Sequence, residues 1–162
     1  MGRYDILIMA RHDAEVSALS ADALPEGDSG VFQFGDLYVN WRRLDWNDAP
    51  TPGGLGREKG HAQKAYLRTV EGFRILGRSE FVITDRLHGH IMSTVIGQPH
   101  VLLDSKLGKN LNLHNTWTSE CDCTRIAETF EESIAFARLF FEKAYKEGRW
   151  SPSAGVEGAV KA

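Results

Sequence analysis

Two hydrophobic periods divide this chain. "YDILIMA", at 4–10, is a compact apolar run that reads as a buried strand ending at Arg11. "HDAEVSALSADALPEGDSG" follows as a helical turn and a polar loop, and "VFQFGDLYVNW" carries β-formers interrupted by Gly35, a strand pair or a bulged strand. Residues 42–59 hold prolines and glycines without periodicity and read as loop. From Gly60 the period changes: Ala62, Tyr66, Val70, Phe73 and Leu76 recur at spacings of three and four, which predicts a helix through Leu76. "SEFVITD" is the next buried strand. Residues 86–96 predict a helix closed by Gly97 with Pro99 just beyond, and "HVLLD" predicts a further strand. "LGKNLNLHNTW" enters a short helix. "FEESIAFARLFFEKAYKEG" places Phe130, Ile134, Ala137, Phe141 and Ala144 on one face of a terminal helix ended by Gly148. Strands alternating with helices predict an α/β fold, an open, mostly parallel, Rossmann-like sheet flanked by helices. One domain over 1–150 and a flexible tail over 151–162 account for the length.

Composition narrows the function classes. The chain has 162 residues, 42% hydrophobic and 25% charged, with net charge −3. No basic stripe stands out, which argues against a nucleic-acid partner. No run approaches the ~18 apolar residues of a membrane span. No targeting signal opens the chain, so cytoplasm is the default location; an anchor in an absent N-terminal part would instead fit the secretory pathway. A core strand starting at residue 4 fits the later part of a longer protein. Cys121 and Cys123 form an i, i+2 pair, a spacing poorly directed for a mutual disulfide, and no further soft ligands stand nearby for a metal.

Candidate chemistry gathers where strands end. In open α/β sheets ligands collect beyond the carboxyl ends of the strands. "FVITD" runs straight into "DRLHGH", so Arg86 and His88 stand at a helix start, where unpaired N–H groups and the helix dipole favour an anion. Thr84 or Asp85 is the expected N-cap. On a wheel of about 100° per residue, Leu87, Ile91 and Val95 form an apolar stripe with His88 and Met92 on its flank. Arg86 and His90 fall on the polar side. The wheel thus turns His88 toward the protein, where a core histidine bonded to backbone is the plain alternative, and His90 toward solvent. Lys106 and Lys109 follow the next strand, and Arg11 follows the first. Between Phe81 and Trp117, Arg86, Lys106 and Lys109 against Asp85 and Asp104 give +1; over 120–132, Arg125 against Glu120, Asp122, Glu128, Glu131 and Glu132 gives −4. Positive charge is local to the strand ends, and the residues predict a small carboxylate- or phosphate-bearing ligand there. "PGGLGREKGH", at 52–61, lacks the Lys-Ser/Thr ending of a phosphate loop and reads as a connector.

"ITDRLHGHIMSTVIGQPHVLLDSKLGKN" closely resembles the signature region of the polysaccharide pyruvyl transferase family, and "YDILIMARHDAE" is similar to a segment where that family places another arginine. The resemblance implies transfer of a pyruvyl group from phosphoenolpyruvate to a glycan acceptor as a cyclic ketal. It also implies one lobe, the C-terminal one, of a two-lobed GT-B-like fold, with no cofactor beyond the phosphoenolpyruvate donor and no metal. Arg86 and His88 would contact phosphoenolpyruvate, Arg11 would help hold its charged groups, and Lys109 matches the lysine of the family's loop. His88 would be the general acid and Arg86 the catalytic cation. Ser105-Lys106-Leu107 departs from the family's common Asn-Ser-Tyr at positions tied to the acceptor. Two alternatives stay open: a lobe binding a nucleotide sugar, and an anion-binding lobe without turnover.

Overall fold

The computed structural model describes residues 3–10, 24–45, 60–104 and 108–152. The expected helical turn after Arg11, the connector at 52–59, Lys106 and the tail from residue 153 lie outside the described residues, as does Arg11 itself.

Six strands form one sheet: β1 (Tyr4–Met9), β2 (Ser29–Phe34), β3 (Leu37–Arg43), β4 (Ser79–Thr84), β5 (His100–Leu103) and β6 (Thr124–Ala127). Their order is β2-β3-β1-β4-β5-β6. All neighbours are parallel except β2 and β3, which pair antiparallel as a hairpin turning at Gly35 (φ +63°). The strand pair expected around Gly35 is therefore a hairpin, and β3 continues through Arg42 and Arg43, two residues assigned to loop by sequence. Arg43 N–H bonds to the Asp28 carbonyl at 2.7 Å, and pairing of this kind overrides a locally loop-like composition. β6 carries too little apolar sequence to be predicted.

Among the described residues four α-helices flank the sheet: α1 (His61–Leu76), α2 (Leu87–Val95), α3 (Lys109–Leu113) and α4 (Phe130–Lys146). Alternation along the strands sends Ile6, Ile8, Trp41, Phe81, Ile83, Val101 and Leu103 to one face, where they bury against Phe130, Ala137 and Phe141 of α4. Leu7, Met9 and Val82 face the other way, onto Ile75 and Leu76 of α1 and Met92 of α2. α4 is well specified at both ends. The Thr129 hydroxyl accepts from Glu132 N–H at 3.1 Å, and the Glu132 carboxylate reaches back to Glu128 N–H at 2.8 Å. At the far end Gly148 takes φ +67°, which lets Arg149 N–H reach the Ala144 carbonyl at 2.9 Å. The chain then turns back, and Trp150 Nε1 donates to the β1 carboxylate Asp5 at 2.8 Å.

Two helical faces differ from their wheels. The first half of α1 lies outside the core: Tyr66 is 67% and Val70 44% exposed, and burial begins only at Glu71. In α2 the buried residues are Gly89, His90, Met92 and Ser93, whereas Val95, in the expected apolar stripe, is 70% exposed. His90 is thus buried and His88 exposed, the reverse of the wheel. Small residues let the α2 backbone approach the sheet, and a polar network satisfies His90, so close approach decided the face rather than hydrophobicity.

Candidate functional site

β1 sends the chain toward the hairpin side of the sheet and β4 sends it toward β5, so the switch in direction falls between β1 and β4. Such a switch point, at the carboxyl edge, is where open α/β sheets place their ligands. The N-terminus of α2 stands directly over it.

Its first turn is built from three contacts. The Thr84 hydroxyl, at the end of β4, donates to the Met9 carbonyl of β1 at 2.9 Å and accepts from Arg86 N–H at 3.0 Å. Thr84 therefore joins two strand ends and supports the residue before the helix, and neither it nor Asp85 is the N-cap. That position belongs to Arg86, whose backbone is extended and whose carbonyl accepts from His90 N–H at 3.0 Å. Gly89 makes the close approach possible, because a Cβ there would lie 2.8 Å from Thr84 Oγ1 and 3.0 Å from Met9 Sδ. Gly89→Ala is expected to destabilise the fold by about 1–3 kcal/mol through overpacking, measurable as a lowered midpoint in urea unfolding.

Arg86 is held from β3. Its Nη2 lies 2.5 and 2.6 Å from the two carboxylate oxygens of Asp45, which is buried just past the end of that strand. The guanidinium is fixed at the strand ends, and its charge is balanced there by Asp45. Among the described residues, Asp45 joins Asp85 and Asp104 to give three carboxylates against Arg86 and Lys109, so side-chain charge alone does not make this edge strongly positive. Arg86 makes no side-chain cap bond at the α2 N-terminus, and a helix start of this kind carries the partial positive charge that favours an anion.

His88 lies in the first turn of α2 with its side chain exposed, beside Arg86. Lys109, also exposed, opens α3 behind Gly108. Asn110, buried, donates to the Asp85 and Leu103 carbonyls, both at 2.8 Å, and so ties α3 to the ends of β4 and β5. The structure thus gathers Arg86, His88 and Lys109 on one edge of the sheet. Sequence reasoning missed Asp45, Thr84 as a link between strands, Gly89 and Asn110. "HGH" beside a strand end was the available signal for Gly89; Asp45 sits in a stretch with none.

Beneath α2 lies a polar network that the sequence did not announce. His100 Nδ1 faces the Gln98 carbonyl at 2.7 Å, so it carries the proton and leaves Nε2 as acceptor. His90 Nδ1 then donates to His100 Nε2 at 2.8 Å, and Thr118 donates to His90 Nε2 at 2.9 Å. Thr118 in turn accepts from His114 Nδ1 at 3.0 Å. His114 and Thr118 bound a π-helical turn, His114–Thr118, that continues α3. Burial, then the neighbouring His100 and His114, pushes His90 down to about 4. Burial also pushes His100 down to about 4, against the Gln98 carbonyl, which favours the charged form.

A cleft of about 400 Å³ lies elsewhere, lined by Arg3, Tyr4, Arg42, Arg74 and Arg78 between α1 and the hairpin, away from α2. Among the described residues no group of three histidine, cysteine, aspartate or glutamate side chains could hold a metal ion, and no helix is long and apolar enough to cross a membrane.

Residues 38–106, which hold β3, α1, β4, α2 and β5, match the family model described as polysaccharide pyruvyl transferase. Pyruvyl transferase 1 of Schizosaccharomyces pombe is 33% identical over 120 residues, covering 73% of this chain and 29% of that protein. The protein named "Putative pyruvyl transferase EpsO" of Bacillus subtilis is 36% identical over 58 residues, covering 36% of this chain and 18% of its own length. The chain spans less than a third of either relative.

Proposed function

From the premise that this chain belongs to the polysaccharide pyruvyl transferase family, we propose that it forms the donor-binding part of a transferase moving a pyruvyl group from phosphoenolpyruvate to two hydroxyls of a glycan sugar. On this reading it is the C-terminal lobe of a two-lobed, GT-B-like enzyme. The observation that carries the reading is the first turn of α2: a dipole-bearing helix start at the sheet's switch point, with the Arg86 fork fixed by Asp45 and His88 exposed beside it.

The chemistry suits those groups. Phosphoenolpyruvate brings a carboxylate and a phosphate, which guanidinium forks and helix N–H groups accept. His88 donates a proton to the methylene carbon, which becomes a methyl group and leaves an oxocarbenium-like centre at the adjacent carbon. One sugar hydroxyl attacks that centre and returns a proton to His88. The C–O bond to phosphate breaks, the second hydroxyl closes the ketal, and its proton leaves with the phosphate. Arg86 orients the donor, and Arg11 and Lys109 help hold and neutralise it.

Calorimetric titration of the chain with phosphoenolpyruvate, in competition with a nucleoside diphosphate, tests the donor. Binding of phosphoenolpyruvate that the nucleotide does not displace supports the proposal, whereas preference for the nucleotide favours a nucleotide-sugar lobe. In the longer protein that contains this segment, His88→Ala is expected to lower kcat about 10²–10⁴-fold with donor binding retained. Unchanged turnover would remove His88 from the reaction, and donor binding without turnover in the wild type would favour the non-catalytic lobe.

A further inference from the structure

Cys121 and Cys123 lie in the turn between the π-helical segment and β6, outside the site described above. Spacing alone suggested side chains that diverge, yet the two sulfurs converge to 2.8 Å. The backbone explains this, because the segment is a turn rather than a strand. Cys121 N–H bonds to the Thr118 carbonyl at 3.0 Å, Thr124 N–H to the Cys121 carbonyl at 3.1 Å, and His100 N–H to the Cys123 carbonyl at 2.8 Å. Three anchors therefore fix the backbone around the pair, and both cysteines are free and half-buried.

The two sulfurs are unequal. A hydrogen bond from Cys123 lowers the Cys121 thiol below its ordinary value, while burial, helped by Cys121, raises Cys123 to about 11. Asp122, between them, opposes ionisation of Cys121. Arg125 is engaged with the Thr124 carbonyl at 2.8 Å. With no third metal-ligating side chain grouped with the pair among the described residues, the arrangement suits sulfur exchange better than metal binding.

We propose that Cys121 and Cys123 form a redox-active dithiol that exchanges with low-molecular-weight disulfides, Cys121 attacking and Cys123 resolving. The Cys121 thiolate attacks one sulfur of the small disulfide, whose S–S bond breaks and expels one thiolate. Cys123 loses its proton and attacks Cys121 Sγ, expelling the second thiolate and closing a disulfide within the turn. Two electrons pass from the protein to the small disulfide, and two protons end on the two released thiols. The same turn is flanked by Thr118 and Thr124, which hydrogen-bond His90 and His100, so the sulfur state is coupled to the imidazole pair behind α2.

The folded chain is incubated with oxidised glutathione, quenched in acid, alkylated and mapped by mass spectrometry. The wild type is expected to lose both alkylation sites together without retaining glutathione. Cys123→Ser is expected to trap glutathione on Cys121, and Cys121→Ser to react about tenfold more slowly. In parallel, the ring resonances of His90 and His100 are expected to shift on oxidation of the wild type. Complete alkylation of both cysteines, a stable glutathione adduct as the wild-type end point, or trapping on Cys123 alone overturns the proposal.

Discussion

Arg86→Ala is expected to cost about 3–5 kcal/mol of folding stability, the largest loss of any single substitution at the strand ends. The side chains of Arg86 and Asp45 are 13% and 5% exposed, so truncating the guanidinium removes a short charge-assisted contact from a buried carboxylate. Asp45→Ala should cost a comparable amount for the converse reason. Arg86→Lys should recover only part of the loss, since an ammonium keeps the charge but sits on a shorter side chain than the one that brings Nη2 to Asp45. Replacing both partners with leucine should restore much of the stability, because the penalty comes from the orphaned charge more than from the pair itself. Urea unfolding of the four variants checks this. A loss under about 1 kcal/mol for Arg86→Ala would mean that Asp45 does not need the guanidinium.

Acidification is expected to destabilise the chain from about pH 6.5 downward, before its carboxylates begin to titrate as a group. His90 and His100 have folded-state values near 4, against an ordinary value of 6.5. A depressed value means that the folded protein holds these rings neutral while the unfolded chain protonates them. The stabilisation is therefore fully present above pH ~6.5, shrinks as pH falls, and is exhausted near pH ~4. Because the rings share one hydrogen bond, the pair acts as a unit, and on the order of 3 kcal/mol is at stake over that window. The geometry gives the reason. A second proton on His100 Nε2 would face the His90 Nδ1–H at 2.8 Å, and one on His90 Nε2 would displace the Thr118 hydroxyl proton. Urea midpoints measured from pH 7 to pH 4 should fall steeply in the wild type and more gently in His90→Phe. Equal slopes would show that the imidazole pair does not carry the acid sensitivity.

The α/β architecture was legible because its strands are contiguous apolar runs and its last helix repeats faithfully: Phe130, Ala137, Phe141 and Ala144 are all buried. Gly97 likewise ends α2 as expected, with Gln98 N–H reaching the Ser93 carbonyl at 2.9 Å. The faces of α1 and α2 were not legible. A wheel ranks side chains by hydrophobicity, but Gly89 and Ser93 are buried for their size and His90 for its hydrogen bonds. Arg86, His88 and Lys109 could be placed at one edge because strand ends are readable. Asp45 could not, since its partner lies 41 residues away and nothing local marks it. The imidazole chain was missed for the same reason: it joins α2, β5 and the π-helical turn, which meet only in the folded sheet.

The sheet order has a kinetic consequence. β1 lies at the centre, with the hairpin on one side and β4 on the other, and the Met9–Thr84 pairing closes a long intervening stretch of chain. During synthesis β1 (Tyr4–Met9) must wait for β4 (Ser79–Thr84), far behind it, before that flank is complete. Such long-range parallel closure is slow, and it leaves an apolar segment, "ILIM", without its lateral neighbours in the meantime. The nascent chain is therefore most vulnerable to aggregation before β4 has left the ribosome.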